Sequence, residues 1–355
     1  MSDPLFQPLK AGAFTFPNRI VMAPLTRTRA SAGRVPNAMM AEYYTQRAAF
    51  GFILTEATSI SPQGVGYPNT PGIWSAEQVE GWKLVTKSVH DAGGQILLQL
   101  WHVGRISDPV YLDGGLPVGP SAIAAEGHVS LIRPLKSFVT PRALDLEEIP
   151  GIIEDYRRAA ENARAAGFDG VEIHGANGYL LDQFLQDSSN QRTDEYGGAI
   201  ENRARLMLEV TDAVISVWGA DRVGMHLAPR GDAHGVGDSN ISSVFHHVAS
   251  ELGKRGIAFI CARESFDKPA LGPSLKDSFG GVYIANESFT ADAAREAILS
   301  GKIDAVAWGK ASIANPDLVE RFRTGAPLND PDPSTFYGDG PAGYIDYPSL
   351  ENANA

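Results

Sequence analysis

Short apolar runs recur along the chain, separated by longer stretches whose apolar residues repeat every three or four positions. The runs lie at residues 19–25 (RIVMAPL), 52–57 (FILTEA), 95–101 (QILLQLW), 170–174 (GVEIH), 223–227 (VGMHL), 256–261 (GIAFIC), 281–285 (GVYIA) and 305–308 (AVAW). They are rich in β-branched residues and lack strict polar alternation, the pattern of parallel strands buried on both faces. Helical periodicity fills residues 75–92, 146–166, 202–218, 242–254, 290–300 and 316–322. The first of these opens on a Ser75-x-x-Gln78 capping box, and Val79, Trp82, Val85 and Val89 share one stripe. The second carries Ile149, Ile152, Ile153, Tyr156 and Ala163 on another stripe. Gly167, Gly219, Gly256 and Gly301 stand where such helices would end.

Eight strands alternating with helices predict a (β/α)8 TIM barrel ahead of a doubly wound sheet. Residues 265–280 interrupt the alternation, being rich in Pro, Gly and Ser with no helical pattern. Residues 103–141, after the third strand, form a long loop of the kind that carries function in barrels. Residues 8–16 read as a small hairpin closing the barrel's bottom. With no repeat, linker or low-complexity tract, residues 1–355 are expected to form one domain.

Charge and cysteine usage narrow the chemistry. The balance of 30 Lys+Arg against 42 Asp+Glu gives a net charge of −12, which disfavours nucleic acid and anionic membranes as partners. The single cysteine, Cys261, excludes an internal disulfide, a cysteine-based zinc site and a cysteine-ligated iron–sulfur cluster. No apolar run approaches the roughly 18 residues of a membrane span, and no signal-peptide pattern opens the chain, so a cytoplasmic protein is expected.

Barrel chemistry sits at the strand C-termini. Those ends carry Thr26 and Arg27, then Gln99, Trp101 and His102, then His174, Asn177 and Tyr179, then His226, and finally Trp308, Gly309 and Lys310. This mouth is rich in donors and aromatics and poor in carboxylates, so a paired-carboxylate hydrolase lacks its second acid. A three-histidine metal site from His102, His174 and His226 is geometrically conceivable, but the flanking His-x-His and Asp of barrel metallohydrolases are missing, and no metal is expected. Lys310 admits a Schiff-base reading, while Gly309 and Asn315-Pro316-Asp317 favour a phosphate grip at the end of strands seven and eight.

The segment 174–205, HGANGYLLDQFLQDSSNQRTDEYGGAIENRAR, resembles the old yellow enzyme family of flavin-dependent ene-reductases. Further blocks match in order: APLTR at 23–27, GYPNTPGIW at 66–74, QLWHVGR at 99–105, IANPDL at 313–318 and FYGDGPAGYIDYP at 336–348. The resemblance covers essentially the whole chain. It implies an FMN-binding barrel that reduces electron-poor alkenes at the expense of NADPH or NADH. Ala23, Pro24, Thr26, Ala57 and Gln99 would then contact the isoalloxazine, and Ala285, Asn286, Gly309 and Lys310 the FMN phosphate. His174 and Asn177 would donate to the substrate's activating oxygen, Tyr179 would protonate the α-carbon, and Tyr67, Trp101 and Tyr337 would shape the pocket. Asn190, Arg192, Asp194 and Tyr196 would brace the fourth loop, and Cys261 would be a small core residue.

The chain departs from the family pattern at His226, where relatives typically carry an arginine facing the flavin N1–C2 edge. Arginine is always charged, whereas a histidine, with an ordinary pKa near 6.5, is not. Arg230 is an alternative source of that charge. Lys310 stands where relatives have arginine, which keeps the charge and loses bidentate geometry. Reductive denitration of nitrate esters or nitro compounds in the same pocket is the nearest alternative activity, and a slow flavin-binding redox sensor a more distant one. A monomer or homodimer is expected.

Overall fold

The structure, a computed structural model, describes residues 3–229, 233–264 and 270–351. A two-stranded antiparallel hairpin, β1 (Leu9–Ala11) and β2 (Phe14–Phe16), precedes the first barrel strand, β3 (Ile20–Met22). Then come α1 (Ala38–Thr45), β4 (Phe52–Leu54), the short β5 (Thr58–Ser59), α2 (Ala76–Asp91) and β6 (Ile96–Trp101). Two short strands, β7 (Val118–Gly119) and β8 (Arg142–Ala143), pair within the long loop before α3 (Ile149–Ala165) and β9 (Gly170–Gly175). The remainder runs α4 (Leu180–Leu185), α5 (Ile200–Trp218), β10 (Val223–Leu227), α6 (Ile241–Arg255), β11 (Phe259–Arg263), α7 (Gly272–Phe279), β12 (Val282–Asn286), α8 (Ala291–Leu299), β13 (Ala305–Trp308), α9 (Lys310–Ala314) and α10 (Leu318–Thr324).

Strands β3, β4, β6, β9, β10, β11, β12 and β13 pair in parallel in that order, and β13 returns to β3, so the sheet closes on itself. This is the eight-stranded (β/α)8 barrel that the alternation predicts. The missing polar alternation has a simple cause. On β6, Leu98 and Leu100 join the outer core against the helices, while Leu97 faces the barrel lumen with Phe259 and Cys261 of β11. Both faces are apolar low in the barrel because both are packed.

The hairpin plugs the lower end as expected. Phe16 stacks on Phe52 at 4.1 Å between ring centres, and Phe52 meets Phe259 at 5.5 Å. Gly12, with φ +55°, brings the turn against the Asp221 carbonyl, where an added Cβ would sit 2.2 Å from the oxygen. The capping box at Ser75 and Gln78 forms, and Gly167, Gly219, Gly256 and Gly301 all take positive φ at helix ends.

Three expectations shift. Residues 265–280 do contain a helix, α7, which begins with Pro273 in its first turn and ends at the left-handed Gly280; the preceding residues 265–269 lie outside the described part. Helix α1, absent from the periodicity reading, is capped by Asn37, whose side chain accepts the Met40 N–H. The sixth strand begins and ends later than its apolar run, because Gly256 is the left-handed terminus of α6 and the pairing extends to Arg263. Among the described residues, no helix is long and apolar enough to cross a membrane.

Candidate active site

The upper end of the barrel opens into a cavity of about 610 Å3. Ala23, Pro24, Thr26, Ala57, Gln99, Trp101, His174, Asn177, Tyr179, His226, Asn286, Gly309, Lys310 and Tyr337 all line it, so most of the candidate residues converge on one space.

Its richest wall is the loop after β9. Asn177 and Gly178 take successive left-handed conformations, φ 56° and 75°, which turn the chain sharply enough to present His174, Asn177 and Tyr179 to the same cavity. Glycine is required at 178, where a Cβ would lie 2.7 Å from the Ala233 carbonyl oxygen. The Gly178 N–H is held by Asp182 at 2.8 Å, and the Gln183 amide donates to the Gly178 and Val103 carbonyls while accepting the Arg105 N–H. The QLWHVGR block is thereby tied to the HGANGYLLDQ block. His102 serves the same bracing: its Nδ1 accepts the Gly104 N–H, and burial drives its pKa down to about 3. Asn190 donates to the Phe184 and Tyr196 carbonyls, and Arg192 pairs with Asp194, locking the continuation of the loop.

The protonation states on this wall follow from burial. His174 Nδ1 accepts the Ala176 N–H at 3.3 Å, which leaves Nε2 as the N–H donor of the neutral ring. Burial, with the neighbouring His226, holds the imidazole well below its ordinary range, so neutral it stays. Tyr179 is half-buried, its hydroxyl hydrogen-bonded to that of Tyr67 at 2.8 Å, and desolvation with the Tyr67 contact raises its pKa well above that of a free phenol. It therefore keeps its proton. Tyr67 itself does not line the cavity and stands behind Tyr179, packed at 5.3 Å against Trp101. The long loop completes this side, with Val129, Phe138 and Ile106 packed around the same aromatics.

The cavity floor is polar and layered. Gln99 Nε2 donates to Glu172 Oε2 at 2.7 Å, and Glu172 Oε1 faces His226 Nδ1 at 3.4 Å without hydrogen-bond geometry. Cys261 lies against this pair, so that the three residues bring ligand-type atoms within 4.8 Å of one another. Burial raises the Cys261 thiol pKa well above its usual value, and the residue belongs to the apolar lumen beneath. Across the mouth, the Glu56 carboxylate accepts the Arg27 and Thr28 N–H groups and so fixes the turn that carries Thr26.

At the far end, Asn286, Glu287, Ser288 and Phe289 meet Gly309, Lys310 and Ala311. Ala285 does not reach the cavity; it packs outward against the helices, and strand parity hands the position to Asn286. Tyr337 lines the rim while 50% exposed, on a segment clasped by Arg27 and Arg29 through the Phe336 carbonyl. Arg230 lies outside the described residues. Arg263, Glu287 and Ser288 are lining residues that the sequence reading missed. The end of the sixth strand was placed at Cys261, two residues short of Arg263.

The sequence pattern of the NADH:flavin oxidoreductase / NADH oxidase family matches residues 4–329. The chain belongs to this family, the old yellow enzymes. It is 46% identical to a probable flavin mononucleotide-dependent alkene reductase of Leishmania infantum, over 98% of both chains. It is 44% identical to 12-oxophytodienoate reductase 2 of Arabidopsis thaliana, over 99% of this chain and 97% of that one. Among solved structures, the old yellow enzyme homologue of Zymomonas mobilis superposes with a TM-score of 0.95 at 47% identity, covering 98% of this chain and 99% of the other. Morphinone reductase in complex with tetrahydroNAD also superposes at 0.95, with 48% identity and 99% of each chain covered.

Proposed function

We infer that this old yellow enzyme is an FMN-dependent alkene reductase acting on enals, enones, maleimides and nitroalkenes. The observation that carries the reading is one six-residue segment presenting a neutral histidine donor, an amide and a proton-holding phenol to one cavity. The cavity fits the cofactor. Its volume lies in the range of about 300–1,000 Å3 typical of cofactor sites. Glu172 Oε1 and His226 Nδ1 are buried without hydrogen-bond partners in its floor, and Lys310 supplies a cation at the end that would take the phosphate. Ala23, Pro24, Thr26, Ala57, Gln99 and His226 would hold the ring system, and Asn286, Gly309 and Lys310 the phosphate. Bound there, FMN supplies hydride chemistry that no amino-acid side chain offers.

The chain's own residues supply the rest. His174 Nε2–H and the Asn177 amide donate to the carbonyl or nitro oxygen of the substrate, which becomes more negative as hydride reaches the β-carbon. Fixed neutral donors stabilise that charge without reorganising. Tyr179 then delivers its proton to the α-carbon; like any phenol it holds that proton at neutral pH, and burial keeps it from ionising at higher pH. Trp101 and Tyr337 shape the space around the alkene. Morphinone reductase, solved in complex with tetrahydroNAD, supports a nicotinamide donor, NADH or NADPH. A lone buried Cys261 suits a reducing compartment, and the cytoplasm is the proposed location.

Replacing Tyr179 with Phe should slow the alkene-dependent step by about 10²–10⁴-fold and leave reduction of the flavin by nicotinamide near the wild-type rate. Stopped-flow traces of the two half-reactions separate them. Equal alkene rates with and without the hydroxyl would refute the proton-donor role.

A further inference from the structure

Arg263 closes β11 at the rim of the cavity, opposite the loop after β9. Its Nη1 donates to Asn177 Oδ1 at 3.2 Å. Its other two nitrogens grip Glu287, Nε to Oε2 at 3.0 Å and Nη2 to Oε1 at 3.3 Å. Glu287 in turn sits on a strained turn after β12, where it and Ser288 take φ 91° and 62°. The guanidinium thus bridges the substrate-facing amide and the turn of a neighbouring strand.

We propose that Arg263 is a positioning residue that fixes the orientation of the Asn177 amide, so that its NH2 and not its oxygen faces the substrate. An asparagine amide has two ends of nearly equal shape, one donating and one accepting. An NH2 turned toward the reacting oxygen stabilises developing negative charge; an oxygen turned toward it repels that charge. Arginine carries five N–H donors and no acceptor, so it selects the orientation with Oδ1 toward itself. The bidentate pair with Glu287 holds the guanidinium plane in place, which a free side chain at the rim would not do. This inference rests on the reading of Asn177 as a donor to substrate.

The test is a double-mutant cycle on the flavin-loaded enzyme with Arg263→Met, Asn177→Ala and both together, plus Arg263→Lys. Two quantities are read: kcat/KM for a simple enone, and the Kd of 4-nitrophenolate, whose charged oxygen imitates the developing one. Arg263→Met is expected to lower kcat/KM and phenolate affinity by about tenfold, and Arg263→Lys, which keeps a donor, to stay within about threefold. In the Asn177→Ala background the same Arg263→Met change should cost less than about twofold, because no amide remains to orient. An undiminished tenfold loss in that background, or no loss in the single variant, overturns the proposal while leaving the role of Asn177 intact. A single Asn177→Ala variant with wild-type kinetics would instead remove the reading beneath it.

Discussion

The two ends of the barrel are built from the same eight strands and differ in almost everything else. The lower end is a stack of phenylalanines, Phe14, Phe16, Phe52 and Phe259, whose cluster also takes in the thiol of Cys261. The upper end buries Glu56, Glu172, His174 and His226 within one turn of the strand termini. Apolar burial is worth about 25 cal/mol per Å2, whereas each buried ionisable group costs desolvation that its partners only partly offset. The lower end therefore stabilises the fold, and the upper end spends some of that stability on a preorganised polar site. Catalytic barrels separate these tasks along the strand axis.

The largest effect that tests this division belongs to the lower end. Phe52→Ala should reduce unfolding free energy by about 3–5 kcal/mol, since the ring fills the contact between the hairpin and β11. Below its new transition, the variant should retain flavin and reduce enones with a kcat/KM within about twofold of wild type. Denaturant titration and steady-state kinetics on one preparation make the comparison. A loss of turnover matching the loss of stability would mean the two ends are not independent.

The next effect tests the cost of the upper end. Burial pushes the Glu56 carboxyl up to about 7, against the hydrogen bonds from Arg27 and Thr28 and the charges of Arg27 and Arg29. Its folded pKa exceeds the unfolded value of 4.5, so the native state holds the proton longer. Glu56 then contributes a loss of stability as pH rises from about 4.5 through 7, on the order of 3 kcal/mol over the window. Glu56→Gln keeps the carbonyl acceptor for the Arg27 turn and cannot ionise, so its stability should fall less between pH 5 and 8. Urea midpoints at the two pH values decide it; the same fall in both proteins would show that Glu56 does not ionise at a cost.

How much of this was legible in the sequence follows the same axis. Periodicity is written by burial, and eight runs packed on both faces announced the barrel, its strand order and the plugging hairpin. Local motifs of long, specific spelling announced the loop after β9, whose turn needs Asn177 and Gly178 in left-handed conformations. What failed lay where neither signal operates. The family resemblance points to the Ala285–Asn286 turn as a whole and does not say which side chain faces in; Asn286 lines the cavity and Ala285 packs outward. Tyr67 was placed on the substrate, yet its hydroxyl serves Tyr179 from behind, a relation between positions 112 residues apart that spacing cannot reveal. Arg263 went unnoticed because its role depends on Asn177 and Glu287, brought to it from two other strands.

The smallest effect concerns the boundary between the ends. His226 sits in the cavity floor above the apolar lumen, facing Glu172, which is itself held by Gln99. A protonated imidazole there would offset the carboxylate and stabilise negative charge on a reduced flavin; a neutral imidazole would leave the carboxylate to oppose it. Arginine at this position would be charged at every working pH. His226→Arg should therefore raise the flavin midpoint potential by on the order of 30 mV, equivalent for two electrons to about 1.4 kcal/mol. Spectroelectrochemical titration of the two proteins side by side reads the offset. Coincident curves would show that neither residue's charge reaches the flavin, and the floor would then belong with the inert lower end.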